Sequence, residues 1–131
     1  MTKEDGPREE RHRRRPEVDS VSLQRLYRLI GLGVRSRGAT VGVEQVRDAA
    51  KRNKLALAVV ASDASANSLK KVVPLLNARR VRFVEVPSAA DLGVAVGRDQ
   101  TAAVGILDAQ LARGIRELLE SGSPRAPEED V

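Results

Sequence analysis

LALAVVA, residues Leu55 to Ala61, is the stretch on which the fold turns. Its seven apolar residues are too few for most helices, and two of them are valines. The run therefore predicts a strand buried on both faces of its sheet. Such a strand needs helices packed on either side. Downstream, Ser62 to Asn67 is a polar turn, and Leu69, Val72, Val73 and Leu76 form a helical stripe that Pro74 bends or restarts. Val81 to Val86 predicts the next strand. Ser88, with Asp91 three residues on, opens a short helix to Val96 as an acidic variant of the capping box. Thr101 to Leu107 predicts another strand, and Asp108 caps a last helix through Leu111, Ile115 and Leu118.

Upstream, Leu23, Leu26, Tyr27, Ile30 and Val34 recur at helical spacing, with Ser20 or Ser22 as the cap. Gly38 ends that region. Thr40 and Val41 give a short strand, Gly42 breaks it, and Val43, Val46 and Ala50 mark a helix to about Asn53. The order is one helix, then four rounds of strand followed by helix. It predicts a three-layer α/β/α sandwich on a mostly parallel four-stranded sheet. Residues 18–121 make the domain. Residues 1–17, densely charged and apolar only at Met1, are expected to be a disordered tail, and so are the acidic, proline-bearing residues 122–131.

A chain of 131 residues is one domain's worth, and 41% hydrophobic content suffices for a core. Aromatic content is 2%, with Tyr27 and Phe83 alone, so the core is Ala, Val, Leu and Ile. That scarcity also removes the platform on which splayed bases stack. With no Cys there are no disulfides or thiolate metal sites. No apolar run approaches the roughly 20 residues of a membrane helix. No secretory signal is visible, and a cytoplasmic location without membrane contact is expected.

Charge is unevenly distributed. Residues 25–82 carry thirteen Lys or Arg against Glu44, Asp48 and Asp63, whereas residues 83–120 carry three basic residues against six acidic ones. A cationic concentration of that kind favours a polyanion, because each phosphate neutralised releases condensed counterions. Catalytic chemistry finds no footing. The sole His is His12, in the tail, no Ser sits in a G-x-S-x-G elbow, and Gly31, Gly33 and Gly38 have the wrong spacing for a dinucleotide loop. Glu44 and Asp48, four residues apart, are neutralised by Arg47, Lys51 and Arg52 within a turn. No catalytic residue, metal site or cofactor is expected.

Three segments in order carry a resemblance: LIGLGVRSRG with VGVEQV (Leu29 to Val46), VVASDASANSLKK (Val59 to Lys71) and VPSAADLGVAVGRD (Val86 to Asp99). Together they are similar to the ribosomal protein L-seven-Ae / L-thirty-e family, and the first resembles its bacterial YlxQ-like branch. The resemblance spans about residues 21–120. It implies the same sandwich and recognition of kink-turn RNA, a sharply bent helix with sheared G–A pairs, with structured ribosomal RNA and the ribosome as expected partners. Nothing in the sequence suggests an obligate dimer, and a monomer is expected. It also implies that the helix after Gly42 presents its tip to RNA, with polar side chains just behind it and the loop after LGVAVG closing over the bend.

The residues expected at that site are Arg35, Arg37, Gly42, Glu44, Gln45, Arg47, Lys51, Gly97 and Arg98. Helix N-terminal amides favour anions, and Gly42 has no Cβ to obstruct approach. Glu44 and Asp48 depart from the family pattern, standing where relatives often carry Asn or Lys and where a Lys is expected. Gly97-Arg98-Asp99-Gln100 is polar where many relatives offer an apolar wedge. The acidic departures favour an alternative, a protein-interaction module on the same fold. A substrate-binding appendage of an RNA methyltransferase is a third possibility.

Overall fold

The computed structural model describes residues 19–121, so both expected tails, 1–17 and 122–131, lie outside the described residues. Its elements are α1 (Ser20–Arg35), β1 (Ala39–Val41), α2 (Val43–Lys51), β2 (Leu57–Ala61), α3 (Ala66–Ala78), β3 (Phe83–Val86), α4 (Ala89–Ala95), β4 (Ala103–Ile106) and α5 (Ala109–Ser121). β2 is buried along its whole length. Leu57, Val59 and Ala61 join Leu26, Ile30, Leu92, Ile106 and Ile115 on the face covered by α1, α4 and α5. Ala58 and Val60 join Val46, Ala50, Val72, Leu76 and Ala103 under α2 and α3. This alternation makes the three layers. Among the described residues, no helix is long and apolar enough to cross a membrane.

The sheet is mixed, which corrects the expectation of a mostly parallel one. Its strand order is β1-β4-β2-β3. Only β2 and β3 pair in parallel, and β4 is antiparallel to both of its neighbours. The reason lies in the segment after α4. A parallel crossover needs its helix to carry the chain to the far end of the sheet. Here the chain turns at Gly97 and doubles back along α4. The Arg98 amide donates to the Gly93 carbonyl (2.8 Å), and the Thr101 amide donates to the Ala89 carbonyl (3.1 Å). A Cβ on Gly93 would stand 2.4 Å from the Gln100 Cα, so the returning strand lies directly on the helix. β4 therefore starts at the end of the sheet where β3 stopped, and runs backwards between β1 and β2.

Caps follow the sequence closely, with one exchange. Asp19, rather than Ser20 or Ser22, caps α1, its carboxylate accepting from the Ser22 amide at 2.7 Å. That hydrogen bond holds the Asp19 carboxyl below its usual range. Ser65 caps α3, Ser88 caps α4 and Asp108 accepts from the Gln110 amide at the start of α5. α3 runs unbroken through Pro74. Helices α1 to α4 each end in the same way. The residue after the C-cap is left-handed, and the next amide reaches back to the last turn: Gly38 to Gly33, Lys54 to Ala49, Val81 to Leu76 and Arg98 to Gly93. This is the Schellman motif. Its left-handed residue is Arg37, Asn53, Arg80 and Gly97 in turn, so only α4 uses glycine.

Candidate nucleic-acid interface

The chain passes from β1 to α2 through a single residue. Gly42 adopts φ 105° and ψ 154°, a conformation essentially closed to other residues. Its amide donates to the Ala103 carbonyl at 2.9 Å, which pins the turn to the start of β4. As the N-cap, Gly42 has no side chain to close the helix, and no side chain caps α2. The first amide to find its acceptor inside the helix is that of Val46, on the Gly42 carbonyl. The amides of Val43, Glu44 and Gln45 thus belong to the turn whose donors no helix satisfies internally. A Cβ on Gly42 would meet nothing within 4 Å, so the approach to this tip is open. Gly42 serves the turn and leaves room beside it.

The α4–β4 loop arrives at the same edge. Thr101 stands two residues before Ala103, so the loop ends within about 7 Å of Gly42 along the strand. Gly97 is left-handed (φ 82°) with open space around it, and Gly97, Arg98, Asp99 and Gln100 are all exposed. The neighbouring β2–α3 turn is tied into this end by Asp63, whose carboxylate accepts from the Ala89 amide at 2.7 Å. Behind it, the Tyr27 hydroxyl is buried with no hydrogen-bond partner, and burial, with Asp91 and Asp63 nearby, pushes its pKa up.

Glu44 and Gln45 are exposed in the first turn of α2. The Glu44 carboxylate is not left as bare negative charge. Arg47 lies 3.8 Å from it and Lys71 of α3 lies 3.9 Å from it. Arg47 also donates to the Lys71 carbonyl at 2.7 Å, clamping α2 to α3. Asp48 pairs instead with Arg52 at 3.3 Å. Pairs this exposed contribute little stability, but they do cancel charge locally. Lys71 lies beyond what the sequence of α2 alone can indicate. Its signal is the Lys70-Lys71 doublet in the second family-like segment, which only the packing of α3 on α2 brings within reach of Glu44.

Arg35, Arg37 and Lys51 are not brought to this edge. β1 starts near Arg37 and ends at Gly42, which puts Arg37 about 15 Å away, at the opposite end of the sheet. The Arg35 guanidinium folds back beside Gly31, which the Ala95 carbonyl also flanks. Lys51 closes α2, about 12 Å from its tip. What gathers at the Gly42 end is Gly42, Glu44, Gln45 and Arg47, whereas Gly97 and Arg98 turn at the far end of α4, and only Thr101 brings that loop back to this edge. Among the described residues, no group of three or more His, Cys, Asp or Glu could hold a metal ion.

The α/β/α sandwich is an architecture shared with known proteins. The model of the ribosomal protein L7Ae/L30e/S12e/Gadd45 family matches residues 24–116, and the chain belongs to that family. It is 30% identical over 94 residues to the RNA-binding protein YlxQ of Bacillus subtilis (strain 168), covering 72% of this chain and 94% of that one. A Bacillus halodurans protein described as of unknown function superposes with a TM-score of 0.66 at 27% identity, over 72% of this chain and 96% of its own. The Giardia lamblia 15.5kD RNA binding protein has the same fold, with a TM-score of 0.65 at 20% identity, over 81% and 91% of the two chains. The resemblance seen in the sequence is therefore to the right family.

Proposed function

We propose that this protein binds a sharply bent, kink-turn-type RNA at the Gly42 end of the sheet, as a monomeric ribosome-associated factor without catalysis. The observation that carries the reading is the uncapped tip of α2, turned by a glycine conformation with nothing beside it. Three amides and the positive end of the helix dipole face an open approach there, a ready anion site. In this reading Gln45 and Glu44 meet the G–A pairs, Gly42 allows the backbone close, and Arg47 and Arg98 meet phosphates. Family membership and the RNA-binding name of the Bacillus subtilis relative support an RNA partner. Structured ribosomal RNA in the cytoplasm is the proposed target.

The test is binding to a kink-turn RNA beside the same duplex without its bulge, over a salt series. Preference for the bulged form is expected, and equal affinity would end the motif-specific claim and leave general electrostatic binding. Asp48→Lys adds a cation one turn behind the tip and is expected to strengthen binding. The reading as a protein-interaction module is favoured by the acidic departures at Glu44 and Asp48, and ion pairs to Arg47, Lys71 and Arg52 offset that acidity locally.

A further inference from the structure

Helices α2 and α3 run side by side and release the chain into β2 and β3 through two turns of nearly the same composition. Lys51-Arg52-Asn53-Lys54 leaves α2, and Arg79-Arg80-Val81-Arg82 leaves α3. The Arg79 guanidinium donates to the Asn53 side-chain oxygen at 3.3 Å, so the turns are in direct contact. Six cations thereby share one surface at the sheet end opposite Gly42. All six are exposed, and Asp48 ion-pairs with one of them, Arg52.

Stabilising helix ends does not account for this. A single cation in the last turn satisfies the helix dipole. The left-handed position after each cap favours glycine, as α4 shows with Gly97. Arg80 stands in that position at φ 60°, and Arg37, at the foot of β1 on the same end of the sheet, repeats it at φ 66°. An arginine there is strained relative to glycine. A strained residue where glycine would fit more easily points to a function for its side chain.

From these turns we infer that Lys51, Arg52, Lys54, Arg79, Arg80 and Arg82 form a second RNA-contacting surface, distinct from the α2 tip, that grips the phosphate backbone of a duplex. Two cationic turns one helix spacing apart, about 10 Å, suit a run of successive phosphates better than a single carboxylate. No aromatic is exposed on either turn to stack a base. Contact is therefore to backbone and insensitive to sequence. A protein carrying both surfaces would hold a bend at one end and a flanking helix at the other.

The test uses the full chain and a plain RNA duplex with no bulge, titrated over a salt series. The triple variant Lys54→Gln, Arg80→Gly, Arg82→Gln is compared with Gln45→Ala at the α2 tip. The triple variant is expected to flatten the log–log salt slope by about two to three, near 0.7–0.9 for each phosphate no longer neutralised, with no drop in Tm. Gln45→Ala is expected to leave the plain-duplex slope unchanged and to weaken only the bulged RNA. An unchanged slope in the triple variant would overturn the second surface. So would loss of binding to poly-glutamate with duplex affinity intact, which would assign these cations to an acidic protein. Because the probe has no bend, either result is separable from failure of the kink-turn reading.

Discussion

The two ends of the sheet solve the same problem, reversing the chain between helix and strand, with opposite residue choices. At the Gly42 end the β1–α2 turn uses a glycine with empty space beside it, and the Glu44 charge is paired away by Arg47 and Lys71. At the other end the left-handed positions are filled by Arg37, Asn53 and Arg80, and cations accumulate. The first end offers backbone amides to a ligand that must come close. The second offers long side chains to a ligand that stays at the surface. Glycine at a helix start and arginine after helix ends thus mark two kinds of exposure, one of main chain and one of charge.

The substitution expected to disturb this contrast most is Gly93→Ala. Its methyl would fall against the Gln100 backbone at 2.4 Å, so the loop must lift off α4, at about 3 kcal/mol in urea unfolding. A cost near zero would show that the loop does not lie on α4. Next comes Gly42→Ala, which meets no atom but forces a side chain into glycine-only backbone, about 2 kcal/mol. Neutrality there would mean that the turn relaxes easily and that glycine serves ligand approach alone. Arg80→Gly has the opposite sign. Relief of left-handed strain, less glycine's greater chain entropy, should stabilise by about 0.5–1 kcal/mol. A lower unfolding midpoint would show that the arginine is structural after all.

The smallest effect concerns helix tips. α1 is closed by the Asp19 carboxylate and α2 is left open. Because the folded protein holds the Asp19 carboxyl below its usual range, this cap stabilises fully above the ordinary carboxylate pKa. Its contribution is lost as pH falls through the lowered value. Asp19→Asn should therefore remove a small acid-side slope in the stability–pH curve while leaving neutral-pH RNA binding intact. A curve identical to that of the unsubstituted protein would rule out the cap as its source.

Much of this architecture was legible in the residues. The buried strand at Leu57–Ala61, the helices and most caps follow from apolar spacing and polar punctuation, which are local signals. Strand direction was not. A strand–helix–strand pattern reads as parallel whether or not the chain doubles back after its helix. The cue for doubling back lay in Gly93 and Gly97, whose role depends on contact with Gln100. The site was legible in part for a related reason. Gly42, Gln45 and the 97–100 loop are marked by glycine and by family-like motifs. Arg37 stands close to Gly42 in sequence but a full strand away in space, and Lys71 is distant in sequence but packed against Glu44.

The reversed strand also bears on how the protein is made. β1 pairs only with β4, Val41 against Val104, and β4 supplies the bridge between β1 and β2. A nascent chain emerging from its N-terminus can assemble β2 with β3 early, yet β1 has no neighbour until residues near Ile106 appear. Closure by such distant pairing is slow compared with local contacts. The Gly42 turn is fastened to the Ala103 carbonyl, so the proposed RNA-facing tip would be set only after Ala103 has been synthesised.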